Sequence, residues 1–199
     1  MEMFFTHKPL VVKKSTSVSE PMIRSVTRSD AKILCEYFVR NKAFLKPWDP
    51  IRDEGFYTVT GWKYKIARLE ELEKLRQGLY LLVLNHDESK VLGVVTFSNI
   101  VAYPFHACNL GYSLDEQEQG KGLMHFSLKE ACHYLFKQFN MHRIQASYLP
   151  HNERSAKVLE KMGFVKEGIA KDYLLIDGRW QDHVLTSLTN ENWMEACKD

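Results

Sequence analysis

The sequence has no long apolar run. Its longest, Leu79 to Leu84, is of strand length and falls far short of the ~20 residues that cross a bilayer. The N-terminus carries no charged-then-apolar leader pattern, so a cytoplasmic protein without a membrane partner is expected. Nor is there an excess of one charge: 27 Lys and Arg stand against 25 Asp and Glu, for a net +2. The basic residues are scattered, which gives no footprint for a nucleic acid. Cysteine is scarce, and Cys35, Cys108, Cys132 and Cys197 show no Cys-x-x-Cys spacing. That argues for free thiols and against disulfides or a bound metal. With 10 Gly and 6 Pro in 199 residues, no stretch reads as a linker and no repeat appears. One α/β domain over residues 22–199, preceded by an arm at 1–21, is the expected organisation.

What the chain does have is a strand, a glycine-rich turn and a helix in succession. Ala107 to Leu114 has strand character, Gln117-Glu118-Gln119-Gly120-Lys121-Gly122 forms the turn, and Leu123, Phe126, Leu128, Ala131, Cys132 and Leu135 recur at helical spacing. Such a turn suits a phosphate. The first amides of a helix lack partners and sit at its positive end, and glycines admit a phosphate close to the backbone. Lys121 adds a positive charge. The four-residue spacing of a Walker loop and the three glycines of a dinucleotide fingerprint are both missing. Further on, Asn152-Glu153-Arg154-Ser155 opens a short helix closed by Gly163-Phe164, with Asn152 as N-cap and Gly163 at the left-handed C′ position.

Gln-x-x-Gly-x-Gly resembles the acetyl-coenzyme A pyrophosphate loop of the GCN5-related N-acetyltransferases (GNAT). Phe44-Leu45-Lys46-Pro47-Trp48, Phe105-His106-Ala107-Cys108, Gly120-Lys121-Gly122-Leu123-Met124 and Ala170 to Gly178 extend the resemblance to the ribosomal-protein N-acetyltransferases of the RimJ/RimL branch, from about Met22 to Leu188. The resemblance implies a GNAT fold: a mixed, mostly antiparallel central sheet with helices on both faces. It implies acetyl-CoA as cosubstrate, no metal, and transfer to the N-terminal alanine of a small-subunit ribosomal protein, with the ribosome or its assembly intermediates as further partners. A small-amine or antibiotic acetyltransferase, or an assembly factor with a vestigial coenzyme site, remains as the alternative.

By the same resemblance, the coenzyme lies along Tyr112, Ser113 and Leu114, over Gln117, Gln119, Gly120, Lys121, Gly122 and Leu123, and beside Asn152 and Ser155. Ser155 stands near the sulfur as candidate acid. Many relatives carry a Tyr acid at the position of Leu159, which has no proton to give. His106 occupies the place of a glutamate base in histone-type relatives, and water is the other candidate. Trp48 is either a core plug or a wall of the acceptor site, and Tyr173 a substrate contact. An α-amine has pKa ~7.7 to 8, so an N-terminal acceptor needs only a modest base, unlike a lysine at ~10.4.

The remaining elements read in order. Met22 to Val26 is a strand, and Ala31 to Val39 and Trp62 to Leu75 are amphipathic helices separated by a Pro47/Pro50 loop. Strands over 80–84 and 91–97 flank a turn, Arg143 to Tyr148 is a strand, and 164–188 is a hairpin turning at Asp177-Gly178.

Overall fold

In the computed structural model, residues 11–13 and 21–194 are described. The sequence-derived arm therefore lies outside the described residues except at its middle, where Val11–Lys13 forms β1 and pairs antiparallel with β2, Met22–Ser25. Cys197 lies outside them too. The other strands are β3 (Leu79–Leu84), β4 (Val91–Val101), β5 (Ala107–Leu114), β6 (Arg143–Tyr148), β7 (Val165–Ile176) and β8 (Arg179–Thr189). They form one sheet in the order β1-β2-β3-β4-β5-β6-β8-β7. Only β5 and β6 run parallel, and they are joined by the crossover helix α4, Leu123–Phe139.

Strand alternation sends side chains to two cores. On one face Val95, Phe97, Cys108, Leu110, Ile144 and Ala146 pack with Leu128, Cys132 and Leu135 of α4 and Leu159 of α5, Glu153–Lys161. On the other, Tyr80, Leu82, Leu84 and Val94 meet Leu34, Tyr37 and Phe38 of α1 (Ala31–Arg40) and Trp62 and Ile66 of α3 (Val59–Lys74). Fully burying each such side chain contributes about 1.5 to 3 kcal/mol before conformational entropy is subtracted. α1 and α3 cover β2 to β4, and the end of α1 reaches on to β5, where Tyr37 meets Ser113.

The Pro47/Pro50 segment, expected as a rigid loop, contains the helical turn α2 (Lys42–Leu45) and two 3₁₀ turns, Lys46–Trp48 and Glu54–Tyr57. Proline fits there because its fixed φ suits the first positions of a helical turn. Cys35, Cys108 and Cys132 are buried free thiols. Among the described residues, no helix is long and apolar enough to cross a membrane.

Candidate active site

β5 carries the site on its C-terminal half. Its pairing with β6 stops at Leu110 and Ala146, although β5 runs on to Leu114 and β6 to Tyr148, so the two strands part there. The Asp115 N–H donates to Leu92 of β4 (2.8 Å). By two-residue alternation, the N–H groups of Tyr112 and Leu114 then point away from β4 into the opening. These are donors aimed where a thioester carbonyl can be polarised.

Beyond β5 the chain turns into α4. Gly120 and Gly122 both have φ +75°, a left-handed conformation that side chains adopt at a cost. A Cβ at either would meet nothing within 4 Å, so their outer side is open. Gly122 is the N-cap of α4 and offers no capping side chain, which leaves the first helical amides facing that space. The residues thus fit a pyrophosphate. Lys121 stands beside them, but its Nζ pairs with Glu118 at 2.9 Å, so its charge is partly offset.

The loop is anchored by side chains that the sequence reading missed. Asp115 is 1% exposed; it accepts from the Gln117 N–H at 3.0 Å and from Arg40 Nε at 2.8 Å. Buried Asn41 accepts from the Glu116 N–H (3.0 Å) and donates to the Tyr37 carbonyl (2.9 Å). Tyr37 OH meets Ser113 Oγ at 2.9 Å, and Gln119 Nε2 donates back to the Leu114 carbonyl at 3.1 Å. Burial pushes the Asp115 carboxyl up, but the Gln117 amide and Arg40 outweigh it and hold the group below the ordinary carboxylate range. Gln117 contributes its backbone, with its side chain exposed, and Leu123 packs against the core. The end of α1 and the start of the loop are 75 residues apart, which no local pattern connects.

Asn152 caps α5 by accepting from the Ser155 N–H (3.1 Å). This presents the Ser155 hydroxyl to β5, where Tyr112 OH meets it at 2.7 Å. Burial pushes the Tyr112 phenol up to about 12, against a smaller opposing effect of the Ser155 bond. It stays protonated across the working range. Tyr112 therefore enters the site by its side chain as well as its backbone, an arrangement able to supply a proton through Ser155.

On the opposite side of the sheet, Trp48 lies against His151 at 5.5 Å between ring centroids. The Asp177 N–H at the tip of the β7–β8 hairpin donates to the Asp49 carbonyl (3.0 Å). The segment carrying Trp48 thus reaches from α1 to the hairpin and across to the loop before α5. Tyr173 lies 5.7 Å from the ring of His183, a buried histidine whose Nδ1 is 2.9 Å from the Gln181 carbonyl. A carbonyl only accepts, so Nδ1 is the donor in this contact. Trp48 is half-buried here.

His106 stands apart from these groups. It precedes β5 rather than lying in it, has φ +45°, and its ring packs on Trp193 (4.9 Å) while its carbonyl accepts from His142 and Arg143. Six residues of strand, ~20 Å at the usual rise, separate it from Tyr112. The structure does not bring it to Ser155. Correspondence with a family position located it, whereas Tyr103-Pro104 just before it turn the backbone into a loop.

Residues 22–165 match the acetyltransferase (GNAT) domain family. The chain is 44% identical over 189 residues to the ribosomal protein uS5-alanine N-acetyltransferase of Escherichia coli, covering 95% of this chain and 97% of that protein. The crystal structure of ribosomal-protein-S5-alanine acetyltransferase from Vibrio fischeri aligns with a TM-score of 0.89 at 44% identity, over 94% of this chain and 100% of that one. Mycobacterium smegmatis RimJ in complex with CoA-disulfide aligns with a TM-score of 0.81 at 26% identity, over 88% and 85%.

Proposed function

The chain belongs to the GNAT acetyltransferase family, and from that premise we propose that it moves the acetyl group of acetyl-CoA to the N-terminal alanine of a small-subunit ribosomal protein. One observation carries the choice of acceptor: 44% identity sustained over 95% of the chain to an enzyme named for that reaction. Bacterial ribosomal proteins are made in the cytosol, where this enzyme would act, with residues 22–199 as its catalytic domain.

Acetyl-CoA supplies an activated acetyl thioester. The amides opening α4, with Gly120 and Gly122, hold its pyrophosphate, and Asn152 flanks the pantetheine arm. Tyr112 and Leu114 direct N–H groups at the acetyl oxygen and strengthen the carbonyl dipole as the amine attacks. Ser155 passes a proton to the departing sulfur and is reprotonated through the Tyr112 hydroxyl it touches, from water that takes up the proton lost by the attacking amine; with a thiol reference pKa of ~8.5 the released coenzyme ends mostly protonated near neutrality. About a tenth of an α-amine of pKa ~7.7 to 8 is already neutral at cytosolic pH, so water suffices as the proton acceptor. Trp48 and Tyr173 border the acceptor.

The test is acetylation of an alanine-initiated peptide with blocked lysines, followed by mass spectrometry across pH. The rate should rise with pH and level off near ~8, where the α-amine loses its proton. No acetylation at any pH, or a rate still climbing toward ~10 on an unblocked peptide alone, overturns the reading.

A further inference from the structure

The two groups placed near the departing sulfur share one face of the sheet. Tyr112 packs against the core beneath α4, and the Ser155 hydroxyl it meets belongs to α5. An amine attacking the same carbonyl comes from the other side, because the leaving group and its donors fill this one. Ser113 marks that other side on β5, since its hydroxyl meets Tyr37 of α1.

His183 of β8 lies on the side of Ser113. Ala146 and Tyr148 of β6 pair with Thr186 and Val184, and both pack on the core beneath α4. Directly paired residues share a face, so alternation turns His183 to the opposite one. Its height in the sheet follows from register. Leu110 is level with Ala146, and Tyr148 with Val184; continued past the last pairs, the same register brings both Ser113 and His183 level with Leu149. The histidine therefore stands at the height of the Tyr112 and Leu114 amides, with β6 and the opening between them and β8 ~4.8 Å beyond β6.

The ring is held at one nitrogen and open at the other. His183 is 4% exposed, its Nδ1 donates to the Gln181 carbonyl at 2.9 Å, and Tyr173 flanks it. Nε2 has no partner among the described residues, yet it is not sealed from solvent as Trp62 Nε1 and Arg52 Nε are. In a neutral imidazole whose Nδ1 donates, Nε2 accepts. A buried ring fixed in this way receives a proton at one defined place.

We propose that His183 receives, through one water, the proton that the attacking amine sheds, an inference that rests on the reading of acetyl transfer to an amine. The amine nitrogen bonds to the acetyl carbon, the carbon–sulfur bond breaks, and the sulfur takes its proton on the Ser155 side. On the opposite side the amine proton passes to the water on Nε2 and through it to the ring, which returns it to bulk water. Proton donor and proton acceptor thus stand on opposite faces of the sheet, where neither neutralises the other directly.

The test compares His183→Ala with the parent on an alanine-initiated peptide with blocked lysines, under conditions where chemistry limits the rate. kcat should fall about 10- to 100-fold, at or below the range for one proton-transferring group because water alone still accepts. The acceptor KM and the coenzyme Kd should stay within about twofold of the parent. Imidazole added to the buffer should raise the kcat of the variant about fivefold or more, whereas pyrrole, a ring of the same shape without an accepting nitrogen, should not. Should His183→Ala not fold, His183→Gln, which holds the water but takes no proton, should lower kcat about fivefold or more. If neither folds, a crystal structure of the parent with coenzyme A decides: a water on Nε2 facing the opening is expected, and a ring closed off from the opening overturns the proposal. Parental kcat in a folded variant, a loss carried by KM, or equal recovery with pyrrole overturns it too and leaves acetyl transfer standing. A parent that acetylates a small amine and not the peptide removes the peptide acceptor, and the same comparison on that amine then decides on the histidine. A parent that acetylates no amine removes both.

Discussion

The two ends of β5 are built on different principles. Toward its C-terminal end, polar groups are paired within the protein: Asp115 with Arg40 and the Gln117 amide, Gln119 with the Leu114 carbonyl, Ser113 with Tyr37, Tyr112 with Ser155. Toward its start, Asn109 has no side-chain partner among the described residues, and its amide reaches water. A coenzyme site that always receives the same molecule gains from preorganisation, because ordering is completed on folding rather than on binding.

The contrast breaks most sharply at its rigid end. Arg40→Ala removes the main partner of a carboxylate that is 1% exposed, and breaking such a pair should cost about 3 kcal/mol in urea unfolding. Lys90, 3.9 Å away, and the 31% exposure of Arg40 hold the loss at the low end of the usual range. Because the folded pKa of Asp115 is depressed, its contribution is present above the unfolded value of ~3.9 and lost as pH falls through the folded one. The variant should therefore lose less of its stability than the parent between neutrality and strong acid. Equal acid sensitivity would sever Asp115 from Arg40 in energetic terms.

Ser155→Ala should lower kcat by roughly 100-fold or less, the range for one proton-transferring group, with little change in coenzyme affinity. Tyr112→Phe should follow it at a smaller size if the phenol acts through the serine. An unaltered kcat under conditions where chemistry limits the rate would strike the pair from the mechanism. Gly120→Val forces a β-branched residue to φ +75°, where strain of ~1 to 3 kcal/mol is expected. Placed in the space a pyrophosphate needs, it should raise the coenzyme Kd by roughly 10- to 100-fold, and parental affinity in calorimetry would relocate the phosphate. His106→Gln anchors the small end of the scale: kcat/KM and its pH profile should stay within about twofold of the parent, since ~20 Å of strand intervenes. A flattened profile would restore that histidine to the chemistry.

Most strands and helices were legible in the sequence because periodicity reports burial directly. The turn after β5 and the cap at Asn152 were legible for the same local reason, as was the hairpin at Asp177-Gly178. The anchoring of the turn was not. Arg40 and Asn41 read as the wet end of a helix, and Asp115 as a residue trailing a strand; only the sheet brings them together. Val11–Lys13 forms a strand because β2 offers it a free edge, although the polar residues around it gave little sign of packing.

The strand order bears on how the molecule comes into being. β7 precedes β8 in the chain yet lies outside it, so the outer edge of β6 has no native neighbour until β8 arrives. Docking of β8 on β6 seals contacts such as Thr186 with Ala146, forty residues apart. Closures of that span are slow beside local turns. Gln145 and Ser187 face each other across this seam, which exists only once β8 is in place. The contacts that tie the glycine turn to α1 need no residue beyond the turn itself, whereas the seam needs the last strand of the sheet.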